Sequence, residues 1–201
     1  MSGLAGEALA LYAAHGAALI DRYDRVDSAT VLAPVMAHFP GPPAPVADIG
    51  AGTGRDAAWL AAQGYAVTAV EPTESLRSAG QALHPGLSWR DAQLPKLAGL
   101  ATRGFDVVLL NAVWHHLDPA DRDAALRRVT EILRPGGRAV VALRHGAEGQ
   151  GVAALDTETE AARAAAAGFE TLDRIDTGAR AGEPASAGIT WTWLILEGAR
   201  T

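Results

Sequence analysis

Short apolar runs alternate with longer stretches of mixed polar and apolar residues along this chain of 201 residues. The apolar runs cover residues 46–50, 66–70, 86–89, 105–110, 138–143, 169–175 and 189–197. The mixed stretches predict helices over residues 6–20, 28–38, 56–63, 75–83, 120–133 and 158–167. The first five runs are apolar almost throughout, as in parallel strands that helices cover on both faces. The alternation predicts an α/β fold with a doubly wound, mostly parallel sheet.

The end of the chain departs from this alternation. Residues 177–188 are rich in glycine, alanine and proline, so the last two strands are expected to form a hairpin and one of them to run antiparallel. The length suits one domain over residues 1–201. Residues 1–45 would form a helical cap and a proline-rich linker, residues 46–145 a ligand-binding core, and residues 146–201 the completion of the sheet.

Composition narrows the function classes. The net charge is −6 and the basic residues are scattered, so the sequence has no basic stripe that would bind the phosphates of a nucleic acid. The chain has no cysteine, which excludes disulfides and cysteine zinc sites and is compatible with a reducing cytoplasm. No cluster of acidic residues or histidines has the spacing of metal ligands. No apolar run reaches the roughly 20 residues of a membrane helix. We therefore expect a cytoplasmic protein without metal, as a monomer or homodimer.

The first apolar run leads into a turn with glycines at three alternate positions, Gly50, Gly52 and Gly54. Glycine permits positive φ angles and lets backbone amides approach a ligand at the start of the next helix. In the dinucleotide fingerprint a glycine would stand at position 55, where this chain has Arg55. The side chain of Asp48 would repel a pyrophosphate but pair with an ammonium group. The turn predicts a nucleotide-like ligand and weakens the NAD interpretation.

A second acidic residue, Glu71, follows the run at residues 66–70 and lies 17 positions after Gly54. This spacing fits a strand-helix-strand unit, in which a carboxylate at the tip of the second strand accepts hydrogen bonds from ribose hydroxyls. Glu71 therefore supports a nucleoside ligand without choosing the nucleoside.

Four segments in order resemble the class I S-adenosylmethionine (SAM) dependent methyltransferase family. They read DIGAGTG at 48–54, DAQLP at 91–95, FDVVLLNAVWHHLDP at 105–119 and LRPGG at 133–137. The resemblance covers residues 46–145 and implies SAM as cofactor with S-adenosylhomocysteine (SAH) as product. It also implies a Rossmann-like, seven-stranded sheet of order 3-2-1-4-5-7-6, with strand 7 antiparallel.

The resemblance assigns residues to the cofactor pocket. Asp91 would meet the adenine amino group, and the backbone amide of Ala92 would meet a ring nitrogen. The residues expected to bind the cofactor are Asp48, Gly50, Ala51, Gly52, Gly54, Arg55, Glu71, Pro72, Asp91, Ala92 and Asn111.

Candidate acceptor residues lie at the carboxyl edge of the sheet, where open α/β folds bind ligands. His115 and His116 follow strand 4. Either histidine could act as a general base near neutral pH. The alternative is that the two histidines form hydrogen bonds that order the loop. Arg144 and His145 follow strand 5. Arg144 could bind a carboxylate or phosphate through two hydrogen bonds, or end the strand in solvent.

Other aromatic and acidic residues have simpler interpretations. The family places its N-terminal helices over the cofactor, so Tyr12 and Tyr23 are candidate substrate contacts. Trp191 and Trp193 share one face of the last strand, where packing is favoured over a cage for a methylated ammonium. Asp118, before Pro119, is expected to cap a helix.

These observations predict a SAM-dependent methyltransferase that acts on O, N or S of a small-molecule acceptor. One alternative is a SAM-binding or SAH-binding protein without transferase activity, as a regulator or partner subunit. A second is an RNA or protein methyltransferase, although the sequence after strand 4 reads NAVW instead of an Asn-Pro-Pro-Tyr-like tetrapeptide. An NAD-dependent oxidoreductase is a more distant alternative.

Overall fold

The computed structural model describes residues 3–23, 26–146, 148–149, 151–180 and 188–200, and the side chains of all of these except residues 15–23. The helices are α1 (Leu4–Tyr23), α2 (Ser28–Leu32), α3 (Arg55–Ala62), α4 (Glu74–Leu83), α5 (Pro119–Ile132) and α6 (Thr157–Ala166). The strands are β1 (Pro45–Ile49), β2 (Ala66–Val70), β3 (Ser88–Arg90), β4 (Phe105–Leu110), β5 (Leu133–His145), β6 (Glu170–Thr177) and β7 (Thr190–Glu197). Two 3-10 helices cover Ala33–His38 and Trp114–His116.

The seven strands form one sheet of order β3-β2-β1-β4-β5-β7-β6. Strand β1 pairs in parallel with β2 and β4, and the pairs β2–β3 and β4–β5 are also parallel. Strand β7 runs antiparallel to both β5 and β6. The predicted fold class, strand order and antiparallel strand are therefore confirmed.

Hydrophobic side chains pack on both faces of the sheet because successive residues of a strand point to opposite sides. On one face, Ile49 of β1 joins a cluster with Leu126 of α5. On the other face, Val46 of the same strand joins a cluster with Leu60 of α3. Both clusters are buried, which explains why the central strands are apolar at nearly every position.

Two expected elements differ in detail. The helix expected over residues 28–38 is α-helical only to Leu32 and continues as a 3-10 helix that has Pro34 in its first turn. Proline lacks a backbone N–H and its ring clashes with the carbonyl four residues earlier, so the α-helix ends there. The strand expected from the apolar run at 138–143 is longer: β5 begins at Leu133 and includes the Pro-Gly-Gly segment, and its pairing with β4 shifts between Phe105 and Val107.

Helix α1 packs against the loop between β4 and α5. The backbone N–H of Leu4 donates to a carboxylate oxygen of Asp118 at 3.2 Å. Asp118 occupies the position before α5 but accepts no hydrogen bond from the amides of that helix, so the expectation that its side chain caps α5 is wrong. Its carboxylate instead anchors the start of α1. No helix in the described part of the chain is long and apolar enough to cross a membrane.

Candidate functional site

A cavity of about 250 Å³ opens at the carboxyl ends of β1, β2 and β4. Its wall combines the glycine turn after β1 with the segments that follow β2 and β4. Helix α1 closes one side with Ala5, Ala8, Leu9 and Tyr12. Parallel α/β sheets bind ligands at this edge because the turns after adjacent strands leave a crevice there.

The glycine turn forms the floor of the cavity with two glycines that serve different purposes. Gly50 has φ +72°, and a Cβ atom there would lie 2.5 Å from a methyl carbon of Val113, so this glycine permits packing. Gly52 has φ +58°, and a Cβ there would meet no protein atom within 4 Å. Because Gly52 lines the cavity, that open space is available to a ligand.

Asp48 is buried beneath this turn with only 3% of its surface exposed. One of its carboxylate oxygens, Oδ2, has no hydrogen-bond partner among the described residues. Burial, followed by the nearby charge of Asp56, raises the pKa of the Asp48 carboxyl well above its ordinary value. A cationic group entering the cavity would compensate the cost of keeping this carboxylate ionised.

Glu71 is positioned by two backbone amides. The N–H groups of Gly52 and Thr73 donate to its two carboxylate oxygens at 2.9 and 2.8 Å. Burial raises the pKa of Glu71, although these two hydrogen bonds act in the opposite direction. Each carboxylate oxygen retains a further lone pair, so Glu71 can still accept hydrogen bonds from a ligand in the cavity.

Asp56, which no sequence motif singles out, is a central residue of the site. Its carboxylate accepts hydrogen bonds from Ser28 at 2.6 Å, from Arg55 at 2.9 and 3.0 Å and from Asn111 at 2.7 Å. Burial acts to raise the pKa of Asp56, but the hydrogen bonds and charge of Arg55 outweigh it and the pKa is lowered. Asp56 is therefore ionised and fixes the Asn111 amide, whose oxygen accepts a hydrogen bond from Arg180 at 2.8 Å.

Tyr12 and His116 meet at the wall of the cavity. The Nδ1 atom of His116 lies 2.5 Å from the carbonyl oxygen of Gly151, which can only accept, so Nδ1 carries the proton. Nε2 therefore accepts from the Tyr12 hydroxyl at 3.1 Å in the neutral imidazole. Burial lowers the pKa of His116 despite the hydrogen bond to Gly151, which favours this neutral form.

His115 is not part of the described wall of the cavity and is 5% exposed. Its Nδ1 atom lacks a hydrogen-bond partner within the described residues, and its ring contacts the ring of Trp191 at 5.9 Å between centroids. Burial, with the charges of His116 and Arg144, holds the pKa of His115 well below its ordinary value. These contacts are those of a packed residue.

The buried neutral His115 should make the protein less stable in mild acid. When the pH falls below the ordinary histidine pKa of about 6.5, this histidine binds a proton in the unfolded chain but not in the native state. The free energy of unfolding therefore falls. Between pH 7.5 and 5.5 one such group contributes about 1.4 kcal/mol. Denaturant unfolding at both pH values measures this loss of stability. Between pH 7.5 and 5.5, His115→Gln should lose about 1.4 kcal/mol less than the wild-type protein. Equal losses in the two proteins would contradict this assignment.

Several predicted site residues lie outside the described wall. A Cβ at Gly54 would meet the ring of Trp89 at 2.8 Å, so that glycine permits packing between α3 and β3. The carboxylate of Asp91 is 70% exposed and pairs with Arg77 at 3.2 Å, whereas its neighbour Ala92 lines the cavity. The side chain of Tyr23 is outside the described residues.

Arg144 and His145, expected to follow strand 5, are instead the last two residues of β5, and neither belongs to the described cavity wall. His145 contacts the carbonyl oxygen of Leu155 at 3.1 Å and the hydroxyl oxygen of Thr192 at 2.9 Å, which are contacts between β5, β7 and the segment before α6. Arg144 is not part of the described cavity wall. The structure therefore does not bring these two side chains into the described cavity wall, and their contact with an acceptor stays a prediction.

The remaining expected residues are brought together, and others join them. Asp48, Gly50, Ala51, Gly52, Arg55, Glu71, Pro72, Ala92, Asn111, Tyr12 and His116 all line the cavity. Asp56 and Arg180, which no sequence motif singles out, also line the wall, as does Trp191, for which packing was favoured. Only Asp56 carried a sequence signal, because it follows Arg55 in the first turn of the helix after the glycines. No group of three or more His, Cys, Asp or Glu within the described ranges could hold a metal ion.

Known proteins similar to this chain are methyltransferases over its central part. A family model described as a methyltransferase domain matches residues 47–141. Uncharacterized methyltransferases of Mycobacterium bovis and Mycobacterium tuberculosis are each 35% identical to this chain over 96 residues. The family model, these relatives and the fold all support the class I SAM-dependent methyltransferase family. The match covers 46% of this chain and spans only 37% of the length of those mycobacterial relatives.

Solved structures of this methyltransferase fold extend the likeness over most of the chain. The 1,6-didemethyltoxoflavin-N1-methyltransferase of Burkholderia thailandensis, with bound 1,6-didemethyltoxoflavin and SAH, has a TM-score of 0.78 and 24% identity. That likeness covers 97% of this chain and 88% of the Burkholderia protein. The [4+2]-cyclase SpnF has a TM-score of 0.69 and 16% identity, covering 86% of this chain and 80% of SpnF. Because one neighbour is a cyclase, the fold alone does not fix the reaction.

Proposed function

We propose that this chain transfers a methyl group from SAM to O, N or S of a small-molecule acceptor. The observation that carries the proposal is the closure of the cavity by α1, which places apolar residues and Tyr12 beside the glycine turn. A walled cavity of about 250 Å³ suits a small ligand. The net charge of −6 also gives no general attraction for phosphate backbones.

The residues of the cavity fit SAM as the cofactor. The open space beside Gly52 would let ligand atoms lie against the backbone. Asp48 has an unpartnered buried oxygen that would pair with the ammonium group of the methionine part, and Glu71 would accept the ribose hydroxyls. When bound, SAM supplies a methyl group that is already activated on a sulfonium. The protein then has to orient the acceptor and exclude water from the site.

His116 is the residue that we propose as general base. Its Nε2 lone pair faces the cavity wall and accepts from the Tyr12 hydroxyl, the kind of hydrogen bond that an acceptor hydroxyl or amine would make. The lowered pKa leaves the imidazole neutral near pH 7 and able to take a proton. The carbonyl oxygen of Gly151 holds Nδ1 and would stabilise the imidazolium formed. His115 is buried outside the cavity wall, and we assign it to packing.

Tritium-labelled SAM tests this proposal when it is offered with separated small-molecule, nucleic-acid and protein fractions of a lysate. We expect label in the small-molecule fraction with the wild-type protein and none with Gly52→Val, which fills the ligand space. His116→Gln should slow labelling by roughly 100-fold, since a positioned base contributes about that much. The SAH affinity of His116→Gln, measured by calorimetry, should stay at the wild-type value.

The other outcomes identify the alternatives. Label in the nucleic-acid or protein fraction would contradict the small-molecule acceptor and favour an RNA or protein methyltransferase. Intact SAH binding with no label in any fraction would favour a SAM-binding protein without transferase activity. Unchanged labelling by His116→Gln would remove His116 from the chemistry.

A further inference from the structure

A tight turn between β5 and α6 packs against helix α1. The backbone groups of Gly149 and Val152 close this turn with two hydrogen bonds, at 3.3 and 3.0 Å. Gly151 is buried within it and has φ +66°, and a Cβ there would lie 2.9 Å from the backbone nitrogen of Ala8 in α1. Side chains do not fit at such a distance, so this glycine is what allows the turn to lie directly against α1.

Both backbone polar groups of Gly151 form hydrogen bonds to functional neighbours. Its N–H donates to a carboxylate oxygen of Glu7 in α1 at 3.2 Å, and its carbonyl oxygen accepts from Nδ1 of His116. The N–H of Ala153 donates to the carbonyl oxygen of His115 at 2.9 Å, which ties the same segment to the 3-10 helix that carries both histidines. Gly151 therefore connects α1 with the ring that we propose as the general base.

We propose that Glu7 is a positioning residue for His116 and acts through the backbone of Gly151. Glu7 holds the N–H of Gly151, which keeps the carbonyl oxygen of this glycine facing Nδ1 of His116. The proton then stays on Nδ1, and Nε2 keeps its lone pair for the cavity. Because α1 also closes the cavity and brings Tyr12 to Nε2, closure and orientation of the base depend on the same helix. This inference rests on the proposed function, because it concerns the regulation of the same site.

The competing role of this turn is packing alone. Glu7 is exposed, so its hydrogen bond is expected to have a modest effect, and packing alone would leave the His116 ring unchanged when Glu7 is replaced. Burial lowers the pKa of His116 and the hydrogen bond to Gly151 opposes this, so weakening that bond should lower the pKa further. In the described part of the chain, the titratable and charged groups that contact or act on this ring are Tyr12 of α1, His115 of the same 3-10 helix and Arg144 of β5.

Nitrogen NMR of isotope-labelled histidine rings reads the tautomer and the pKa of His116 and needs no methyl acceptor; His116→Gln assigns the signals. The wild-type ring should be neutral near pH 7 with its proton on Nδ1. Glu7→Ala should give a mixture of tautomers and a lower pKa of His116. Its labelling of the small-molecule fraction by tritiated SAM should fall about threefold to tenfold. Glu7→Gln, which keeps an acceptor oxygen but loses the charge, should keep the wild-type tautomer.

Two glycines of the turn provide a second, matched pair of variants. A Cβ at Gly149 would meet no protein atom within 4 Å, whereas a Cβ at Gly151 would meet the backbone of α1. Gly151→Ala should therefore lose the single tautomer of His116, and Gly149→Ala should keep it.

The inference would be overturned by an unchanged tautomer and pKa of His116 in Glu7→Ala. Equal changes in Glu7→Ala and Glu7→Gln would overturn it too, because they would assign the effect to the charge of Glu7 instead of its hydrogen bond. In both cases labelling of small molecules by the wild type would leave the proposed function standing. A wild-type protein that labels no small molecule would instead contradict the proposed function, and the ring spectra would still decide whether Glu7 positions His116.

Discussion

Replacing Gly52 with valine is expected to weaken SAH binding by at least about 100-fold, or about 2.7 kcal/mol, while the protein remains folded. The new side chain would project into the open space of the cavity, because a Cβ at this position meets no protein atom within 4 Å. The same volume then becomes unavailable to a ligand lying against the glycine turn. Calorimetric titration with SAH measures the loss, and circular dichroism checks the fold.

The matched control is Gly99→Val. Gly99 also has a positive φ, +78°, and a Cβ there would likewise meet nothing within 4 Å. Both variants therefore carry the strain of a β-branched residue in the left-handed region, roughly 1–2 kcal/mol or more, but Gly99 is exposed and does not border the cavity. Equal SAH affinity in the two variants would show that the space beside Gly52 is not where the ligand binds.

Replacing Glu160 with alanine is expected to lower the free energy of unfolding by about 3–5 kcal/mol. Glu160 is 3% exposed and accepts hydrogen bonds from Arg122 at 2.9 Å and from the indole N–H of Trp114 at 2.8 Å. Its removal leaves the guanidinium of Arg122, which is 4% exposed, as a buried charge without this partner. For a domain of this size the melting temperature should fall by roughly 6–20 °C.

Glu158→Ala provides the comparison on the same helix. Its carboxylate pairs with Arg174 but is 75% exposed, and exposed pairs contribute about 0–1 kcal/mol. A loss in Glu160→Ala as small as that in Glu158→Ala would contradict the role of the buried network. Trp114, which donates to Glu160, lies in the same 3-10 helix as His115 and His116. In the protein without SAH, Glu160→Ala should therefore also speed the hydrogen exchange of the backbone amides in this helix.

The elements that follow from local sequence could be predicted. Each central strand is a continuous apolar run because both faces of the sheet are covered, and glycines at positive φ mark the turn after β1. The acidic residues at the ends of β1 and β2 were placed correctly at the cavity, since parallel strands end at the same edge of the sheet.

The parts that depend on contacts distant in sequence could not be predicted. Arg180 reaches Asn111 across 69 positions and His116 meets Tyr12 across 104, and no local pattern specifies either pair. Distant contacts also decide the side chains of Asp91 and Asp118. Asp91 accepts a hydrogen bond from Arg77 on α4, and Asp118 accepts one from the backbone N–H of Leu4, the first residue of α1. Pro34 was visible in the sequence, but whether it ends or merely bends a helix depends on the packing around it.

Titration of the wild-type protein with SAH, beside NADH under the same conditions, tests the assignment of the cavity to SAM most directly. The buried carboxylate of Asp48 and the space beside Gly52 predict SAH binding with a dissociation constant in the micromolar range and no binding of NADH. Binding of NADH without binding of SAH would contradict the account.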